Sequence, residues 1–190
     1  MNPLLLNFPD HFATERLDIR APRAGDGAEL NAAVIETWED LAQWVPWARK
    51  QPTLDESEVL MREAAAKWLR REELWMLVFL KGTNTLVASS GLMRADWTVP
   101  RFEVGYWGRK RFAGMGYVTE AVRGIVEFAV RELGARRLHL LIDARNQRSR
   151  GVAKRAGFQL EGTQRQHLRA NDGTLADAEL YGLVPWQPAA

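Results

Sequence analysis

Apolar and polar residues alternate at Leu17-Asp18-Ile19-Arg20, the spacing of a half-buried strand. The period then changes. Asp26 stands where a capping residue would open a helix through Leu30 and Ala33. The segment Leu41 to Ala48, LAQWVPWA, holds two tryptophans and a proline and reads as a loop or short helical turn. Asp55 or Ser57 opens the next helix, with Val59, Leu60, Ala64, Trp68 and Leu69 as its apolar stripe. The unbroken apolar run Leu74 to Leu80, followed by Lys81-Gly82-Thr83-Asn84, reads as a buried central strand ending in a turn, and Leu86 to Leu92 as its hairpin partner. Phe102 to Trp107 is the next strand. A helix follows in which Val122, Ile125, Val126, Ala129 and Leu133 share one face and Gly134 ends the run. Leu138 to Ile142 is another strand, and Asn146 caps a short helix that stops at Gly157. The rest folds as a hairpin turning at Asn171-Asp172-Gly173. This order predicts a mixed sheet with helices on both faces. With no linker, repeat or low-complexity block, residues 1–190 are expected to form a single domain.

Composition narrows this picture without redirecting it. The 26 basic and 24 acidic side chains leave a net charge of +2, too little to argue for a nucleic-acid partner. Basic residues concentrate at Arg109, Lys110 and Arg111, and again from Arg145 to Arg155. With no cysteine, disulfides and thiol nucleophiles drop out. MNPLLLNF lacks the basic start and long apolar core of a secretory signal, and no apolar run reaches membrane-spanning length. No membrane partner and a cytoplasmic location are therefore expected.

The candidate chemistry sits between Glu103 and Ala121, EVGYWGRKRFAGMGYVTEA. A short strand runs into a glycine-containing loop, and the loop runs directly into an amphipathic helix. Unpaired N–H groups and the helix dipole at such a junction hold phosphate or pyrophosphate. Gly114 and Gly116 let the backbone approach the anion closely. A triphosphate-binding P-loop needs Lys followed by Ser or Thr after its second glycine, where Tyr117 and Val118 stand. Without that lysine or paired acids, a nucleotide triphosphatase is not indicated. A dinucleotide fingerprint needs a third glycine early in a βαβ unit. An acyl-CoA pyrophosphate loop is the candidate left.

FEVGYW, FAGMGYVTEAV and LIDARNQRSRGVAKRAGFQLEG, in that order, resemble the Gcn5-related N-acetyltransferases (GNAT), in their RimJ/RimL-type branch. The likeness runs from ATERLDIR to NDGTLADAELYGLV and covers nearly the whole chain. It implies an α/β (mixed α+β) acyl-CoA N-acyltransferase fold: a mostly antiparallel mixed sheet, helices on both faces, and a splayed parallel strand pair. It implies acetyl-CoA as co-substrate, no metal, and transfer of the acetyl group to a primary amine, either a protein N-terminal α-amine or a small molecule. A non-catalytic CoA-binding module is the alternative.

By that resemblance, pantetheine lies between the Phe102–Trp107 and Leu138–Ile142 strands and pairs with backbone groups of Tyr106, Trp107 and Gly108. The pyrophosphate rests on Gly114, Met115, Gly116, Tyr117 and Val118. The family usually has Arg or Gln at the position of Ala113, and Gly or Ala at that of Val118. Arg109, Lys110 or Arg111 is expected to restore the missing charge, with Arg111 the leading choice. Asn146 and Ser149 match the family's N-x-x-S pattern, which implies that Asn146 contacts pantetheine and that Ser149 lies near the CoA sulfur. A tyrosine that many relatives carry four residues on is Ala153 here. Ser149 is then the matched donor to the leaving thiolate. Glu103 is the first candidate base, acting through water. His167 is the second, beside Leu168, where RimL-type relatives often carry an acid. His139, between leucines, reads as a satisfied core residue. Trp44 and Trp47 line the expected acceptor site. The tryptophan-rich segments leave room for a homodimer. An α-amine with a pKa of ~8 is easier to deprotonate than a lysine at ~10.4, by roughly 3 kcal/mol at neutral pH. An enzyme without a strong base should therefore prefer α-amines.

Overall fold

The computed structural model describes residues 2–185. After a 3-10 turn over Pro3–Leu5 come two short strands, β1 (His11–Ala13) and β2 (Leu17–Arg20), and then three helices, α1 (Gly27–Glu36), α2 (Trp38–Trp44) and α3 (Leu54–Leu69). Strands β3 (Leu74–Leu80), β4 (Leu86–Asp96) and β5 (Arg101–Gly108) form a meander. Helix α4 (Tyr117–Leu133), strand β6 (Arg137–Asp143) and helix α5 (Gln147–Arg155) lead to the final hairpin, β7 (Gln159–Arg169) and β8 (Leu175–Leu183). The sheet runs β1-β2-β3-β4-β5-β6-β8-β7, and of its neighbouring pairs β5 and β6 are the parallel one.

The pleat of β3 explains its unbroken apolar run. Leu74, Met76 and Val78 pack with Ala121, Val122, Ile125 and Ala129 of α4. Leu77 and Phe79 pack on the other face, with Leu30 and Ala33 of α1 and Met61 and Ala64 of α3. A strand covered on both faces has no polar side to alternate with. The predicted face of α4 is the buried one, joined by Phe128, and Gly134 ends the helix in the left-handed region at φ 64°.

Three local expectations are corrected. Asp26 occupies the cap position of α1, but its side chain does not cap the helix. Its carboxylate accepts instead from the Arg20 guanidinium (2.6 and 2.7 Å) and the Arg23 amide (2.7 Å). LAQWVPWA supplies the second half of a real helix, α2, which stops at Trp44 ahead of Pro46. Helix α3 is opened by Thr53, not Asp55 or Ser57. The Thr53 hydroxyl accepts from the Glu56 amide (3.1 Å) and the Glu56 carboxylate accepts from the Thr53 amide (2.7 Å), a capping box written as T-L-D-E. Its buried stripe is Ser57, Met61, Ala64 and Trp68, while Val59, Leu60 and Leu69 are exposed. Ser57 can be buried there because its hydroxyl donates to the Thr53 carbonyl (3.0 Å) and accepts from Asn31 (2.9 Å).

Candidate active site

Parallel pairing between β5 and β6 is confined to Arg101 with Arg137, Phe102 with Leu138 and Glu103 with His139. Beyond Glu103, β5 continues beside β4 as far as Gly108, while β6 continues beside β8 as far as Asp143. The two strands therefore part just where the chain turns toward α4, and among the described residues the edge of β5 facing the gap has no strand partner.

Arg109 to Ala113 form a tight 3-10 turn after β5, and the glycine loop follows. Gly114 and Gly116 both sit in the left-handed region, at φ 80° and 82°. Side chains rarely adopt that conformation, so glycine is what the turn requires. Gly116 is the N-cap of α4, and its carbonyl accepts from the Glu120 amide at 3.0 Å. Among the described residues, the amides of Gly114, Gly116, Tyr117 and Val118 find no acceptor in the chain. Unspent donors at the N-terminus of a long helix, with no side chain at two of the positions, fit a diphosphate. Val118, one of the two departures from the family pattern, has its own partner. A Cβ at Gly108 would meet Val118 Cγ2 at 2.6 Å, so Gly108 leaves room for the valine and α4 docks against the end of β5.

The basic cluster beside the loop is already paired. Arg109 is buried and donates to Glu36 and Glu29, each at 2.7 Å. Lys110 reaches Glu39 at 3.0 Å. Arg111 lies 3.4 Å from Glu36, its guanidinium over the Phe112 ring. These contacts tie the loop to α1 and α2. The cation against the glycine loop is Arg16, just before β2. It donates to the Met115 carbonyl (3.2 Å), stacks over the Tyr117 ring (4.6 Å) and pairs with Glu120 (2.6 Å). Burial would raise the Glu120 pKa, but hydrogen bonds from Thr14, from the Arg16 amide and from its guanidinium outweigh it and hold the carboxyl below its usual value. Arg16 lies far from the loop in the chain, and no local spacing pointed to it.

Asn146 accepts from the Ser149 amide at 3.0 Å, so it caps α5 as expected. Ser149 meets a residue that sequence reading had placed for its backbone alone. The Tyr106 hydroxyl lies 3.0 Å from Ser149 Oγ and donates to the Ser149 carbonyl at 2.9 Å. Burial pushes the Tyr106 phenol up to about 12, partly offset by the Ser149 hydrogen bond. Trp107, next on β5, packs against the opposite core cluster, beside α1 and α3.

Glu103 lies on the face of β5 opposite Phe102 and Val104, at the last rung of the parallel ladder. Its carboxylate faces His139 Nε2 at 3.6 Å and accepts from Arg94 at 3.0 Å. The contact with His139 outweighs burial and, with the ion pair to Arg94, holds Glu103 below the usual carboxylate range. Arg94 reaches it from an irregularity in β4, where its own φ is 48°. His139 is not the satisfied core residue expected, since its Nδ1 is buried without a partner among the described residues. Because the Glu103 pKa is depressed by folding, its stabilisation is present above the unfolded value near ~4.3 and is lost as pH falls through the lower folded value. Glu103→Gln is expected to destabilise the protein by about 1 kcal/mol at pH 7 and by nothing measurable at pH 3. Urea unfolding at the two pH values checks this, and an equal loss at both would contradict it.

His167 is exposed on β7. The β7–β8 register shifts between Gln164 and Leu168, and Gln166 adopts φ 52°, so simple alternation does not fix which way its neighbours face. Trp44 lines a shallow recess of about 260 Å3 with Arg145, Asn171 and Asp172. Trp47 is 53% exposed and does not line it. The tip of the β7–β8 hairpin closes on α2 through Asn171, whose amide donates to the Ala42 carbonyl (2.8 Å) and the Val45 carbonyl (2.9 Å). Among the described residues, no group of three or more His, Cys, Asp or Glu is placed to hold a metal. No helix among them is long and apolar enough to cross a membrane.

Residues 16–159 match the family model of the acetyltransferase (GNAT) domain. The chain is 28% identical to "Putative ribosomal N-acetyltransferase YdaF" of Bacillus subtilis (strain 168), over 90% of this chain and 92% of that protein. Its fold is that of RimL, a ribosomal L7/L12 α-N-protein acetyltransferase solved with coenzyme A, with TM-score 0.84 and 22% identity over 90% of this chain and 95% of that one. It is equally that of the microcin C7 self-immunity acetyltransferase MccE, solved with acetyl-CoA and AMP, with TM-score 0.83 and 19% identity over 90% and 94%.

Proposed function

The chain belongs to the GNAT acetyltransferase family, and on that premise we propose that it acetylates the N-terminal α-amine of a protein or peptide. The family makes it an acetyl-CoA-dependent acyltransferase, so the reading as a non-catalytic CoA-binding module is set aside. We take residues 1–190 to act as one catalytic domain.

Acetyl-CoA brings an activated acetyl group, and the residues of the chain hold, orient and polarise. The amides of Gly114, Gly116, Tyr117 and Val118 take the diphosphate, while that of Met115 is spent on the Phe112 carbonyl (3.4 Å), and the free edge of β5 at Tyr106 to Gly108 takes the pantetheine arm and offers an N–H to the thioester carbonyl. A preorganised donor of that kind contributes more than any single side chain here. Asn146 orients the first turn of α5, and Ser149 donates to the leaving sulfur.

The acceptor class rests on one observation, the state of Glu103. A carboxylate held below its usual pKa by His139 and Arg94 is a weak base. It can relay a proton through water but cannot strip one from an ammonium of pKa ~10.4. An α-amine near ~8 exists partly as the free base at neutral pH and needs little help. The name that YdaF carries agrees with such an acceptor.

The test is incubation with acetyl-CoA and two peptides, one with a free N-terminus and no lysine, the other Nα-blocked with one lysine. Thiol release and mass spectrometry report the product. The first peptide should be acetylated about two-hundredfold faster at pH 7, the ratio of free base set by the two amine pKa values. Preference for the lysine peptide, or for small amines alone, would refute the assignment. Asn171→Ala should loosen the hairpin from α2 and raise the KM for the peptide about threefold to tenfold, the loss of one or two hydrogen bonds. The coenzyme A Kd should be unchanged, and calorimetry beside steady-state kinetics checks both.

A further inference from the structure

We propose that Tyr106 is a positioning residue for the leaving group: its hydroxyl sets the hydroxyl of Ser149, so that the Ser149 proton is free to turn to the departing sulfur. This rests on the acetyl-transfer reading above and deepens it.

Tyr106 lies on β5 beyond the last β5–β6 rung, where the strands have parted. Its hydroxyl spans the gap to the first turn of α5, 3.0 Å from Ser149 Oγ and 2.9 Å from the Ser149 carbonyl. Both partners are held. The Ser149 amide donates to Asn146 at 3.0 Å. Arg150, the next residue on α5, donates to Glu179 at 2.7 Å, and Glu179 also accepts from the buried Tyr181 hydroxyl at 2.7 Å, so α5 is anchored to β8.

Two hydroxyls and one carbonyl allow two arrangements of protons. At rest, Tyr106 donates to the Ser149 carbonyl and can accept from Ser149 Oγ–H. When the amine nitrogen bonds to the acetyl carbon and the carbon–sulfur bond breaks, the electron pair stays on sulfur. Ser149 then turns its O–H to the thiolate, and Tyr106 turns its O–H to Ser149 Oγ. No proton changes owner in this pair, and the number of hydrogen bonds between the two hydroxyls does not fall. The amine loses its extra proton to water or through Glu103. Full proton transfer from Tyr106 is the wrong description. The phenol sits at about 12, well above a free thiol near ~8.5, so Tyr106 stays protonated and acts as a donor throughout the working range. Without it, Ser149 Oγ would donate to sulfur with its own lone pairs unsupported in a half-buried cleft.

The test compares wild type, Tyr106→Phe, Ser149→Ala and the double variant. Calorimetric affinity for coenzyme A as a function of pH gives the pKa of the bound thiol, with desulfo-coenzyme A as the control lacking sulfur. Tyr106→Phe should raise that pKa by about one unit, the scale of one charge-assisted hydrogen bond, and leave desulfo-coenzyme A binding unchanged. In turnover, kcat should fall about tenfold with the acetyl-CoA KM within about twofold, and the double variant should be no slower than Ser149→Ala. An unchanged bound-thiol pKa, or losses that multiply in the double variant, overturns the inference while leaving the acetyltransferase reading intact. A wild type that binds no coenzyme A and releases no thiol overturns both. If Tyr106→Phe does not fold, site-specific 3,5-difluorotyrosine at 106 keeps the shape and strengthens the donor. The bound-thiol pKa should then drop, and no change would overturn the inference.

Discussion

Gly116→Val is expected to weaken coenzyme A binding at least thirtyfold while the protein remains folded. Gly116 adopts φ 82°, a region where a β-branched residue is a true outlier. Space is not the obstacle, since the nearest atom to a Cβ there is Arg16 Nη2 at 3.5 Å, an ordinary contact. The obstacle is conformational. Holding valine in that region costs about 1–2 kcal/mol, and the chain escapes by swinging Gly116 to negative φ. That swing re-aims the peptide planes on both sides of residue 116, including the Tyr117 amide that completes the cradle. Losing two charge-assisted hydrogen bonds to a diphosphate, at about 1.5 kcal/mol each or more, corresponds to a Kd change of a hundredfold or greater. Thirtyfold allows for partial recovery. Gly114→Ala, with open space around its Cβ and φ 80°, should show a smaller loss in the same direction. Calorimetry measures the affinity and urea unfolding the stability. Tight binding by Gly116→Val would mean that the loop does not carry the anion.

Arg109→Ala is expected to be the most destabilising single charge deletion, at about 3 kcal/mol. Arg109 is 5% exposed and satisfies Glu36, Glu29 and the Leu86 carbonyl at once. Its removal takes the buried cation from Glu29 and Glu36 on α1, leaving Glu29 the Leu86 amide (2.9 Å) and Glu36 the Arg111 amide (3.1 Å) as donors. Breaking a buried pair from one side costs ~3–5 kcal/mol, and the low end applies because Glu29 and Glu36 keep access to water. The acid limb should change as well. Burial raises the Glu36 pKa, but Arg109 and Arg111 together pull it below its usual value. Wild type therefore carries a stabilisation above pH ~4.3 that fades as pH falls, and Arg109→Ala should lose much of that slope. Arg111→Ala, which removes an exposed partner, should cost under about 0.5 kcal/mol. Equal effects of the two substitutions in urea unfolding would contradict the role given to burial.

These variants mark what could be seen from the residues alone. Apart from the three-residue β1 and the short α2, the strand and helix order was legible because β3 is covered on both faces and α4 on one, and each condition writes its own period. The parallel pair and its gap followed only from family resemblance, since nothing in Phe102–Trp107 or Leu138–Ile142 encodes register. The T-L-D-E capping box was written in the sequence, but the more conspicuous Asp55 and Ser57 hid it. The pairing of Arg109, Lys110 and Arg111 with acids of α1 and α2 joins residues some seventy positions apart. A run of three basic residues beside a glycine loop looks like an anion site until those acids are placed. Arg16 and Glu120 meet across 104 positions. Tyr106 was legible as a strand residue of the cleft, whereas its hydroxyl contact with Ser149 depends on how far β5 and α5 diverge.

The central claim is that backbone amides between Gly114 and Val118 hold the diphosphate of coenzyme A at the mouth of the β5–β6 gap. Amide 1H–15N shifts of the wild-type protein during a coenzyme A titration test it most directly. The largest changes should fall on Gly114, Gly116, Tyr117 and Val118, accompanied by Tyr106 to Gly108, and saturate at one coenzyme A per chain. Saturable binding that leaves those amides unmoved, or no binding at all, would contradict it.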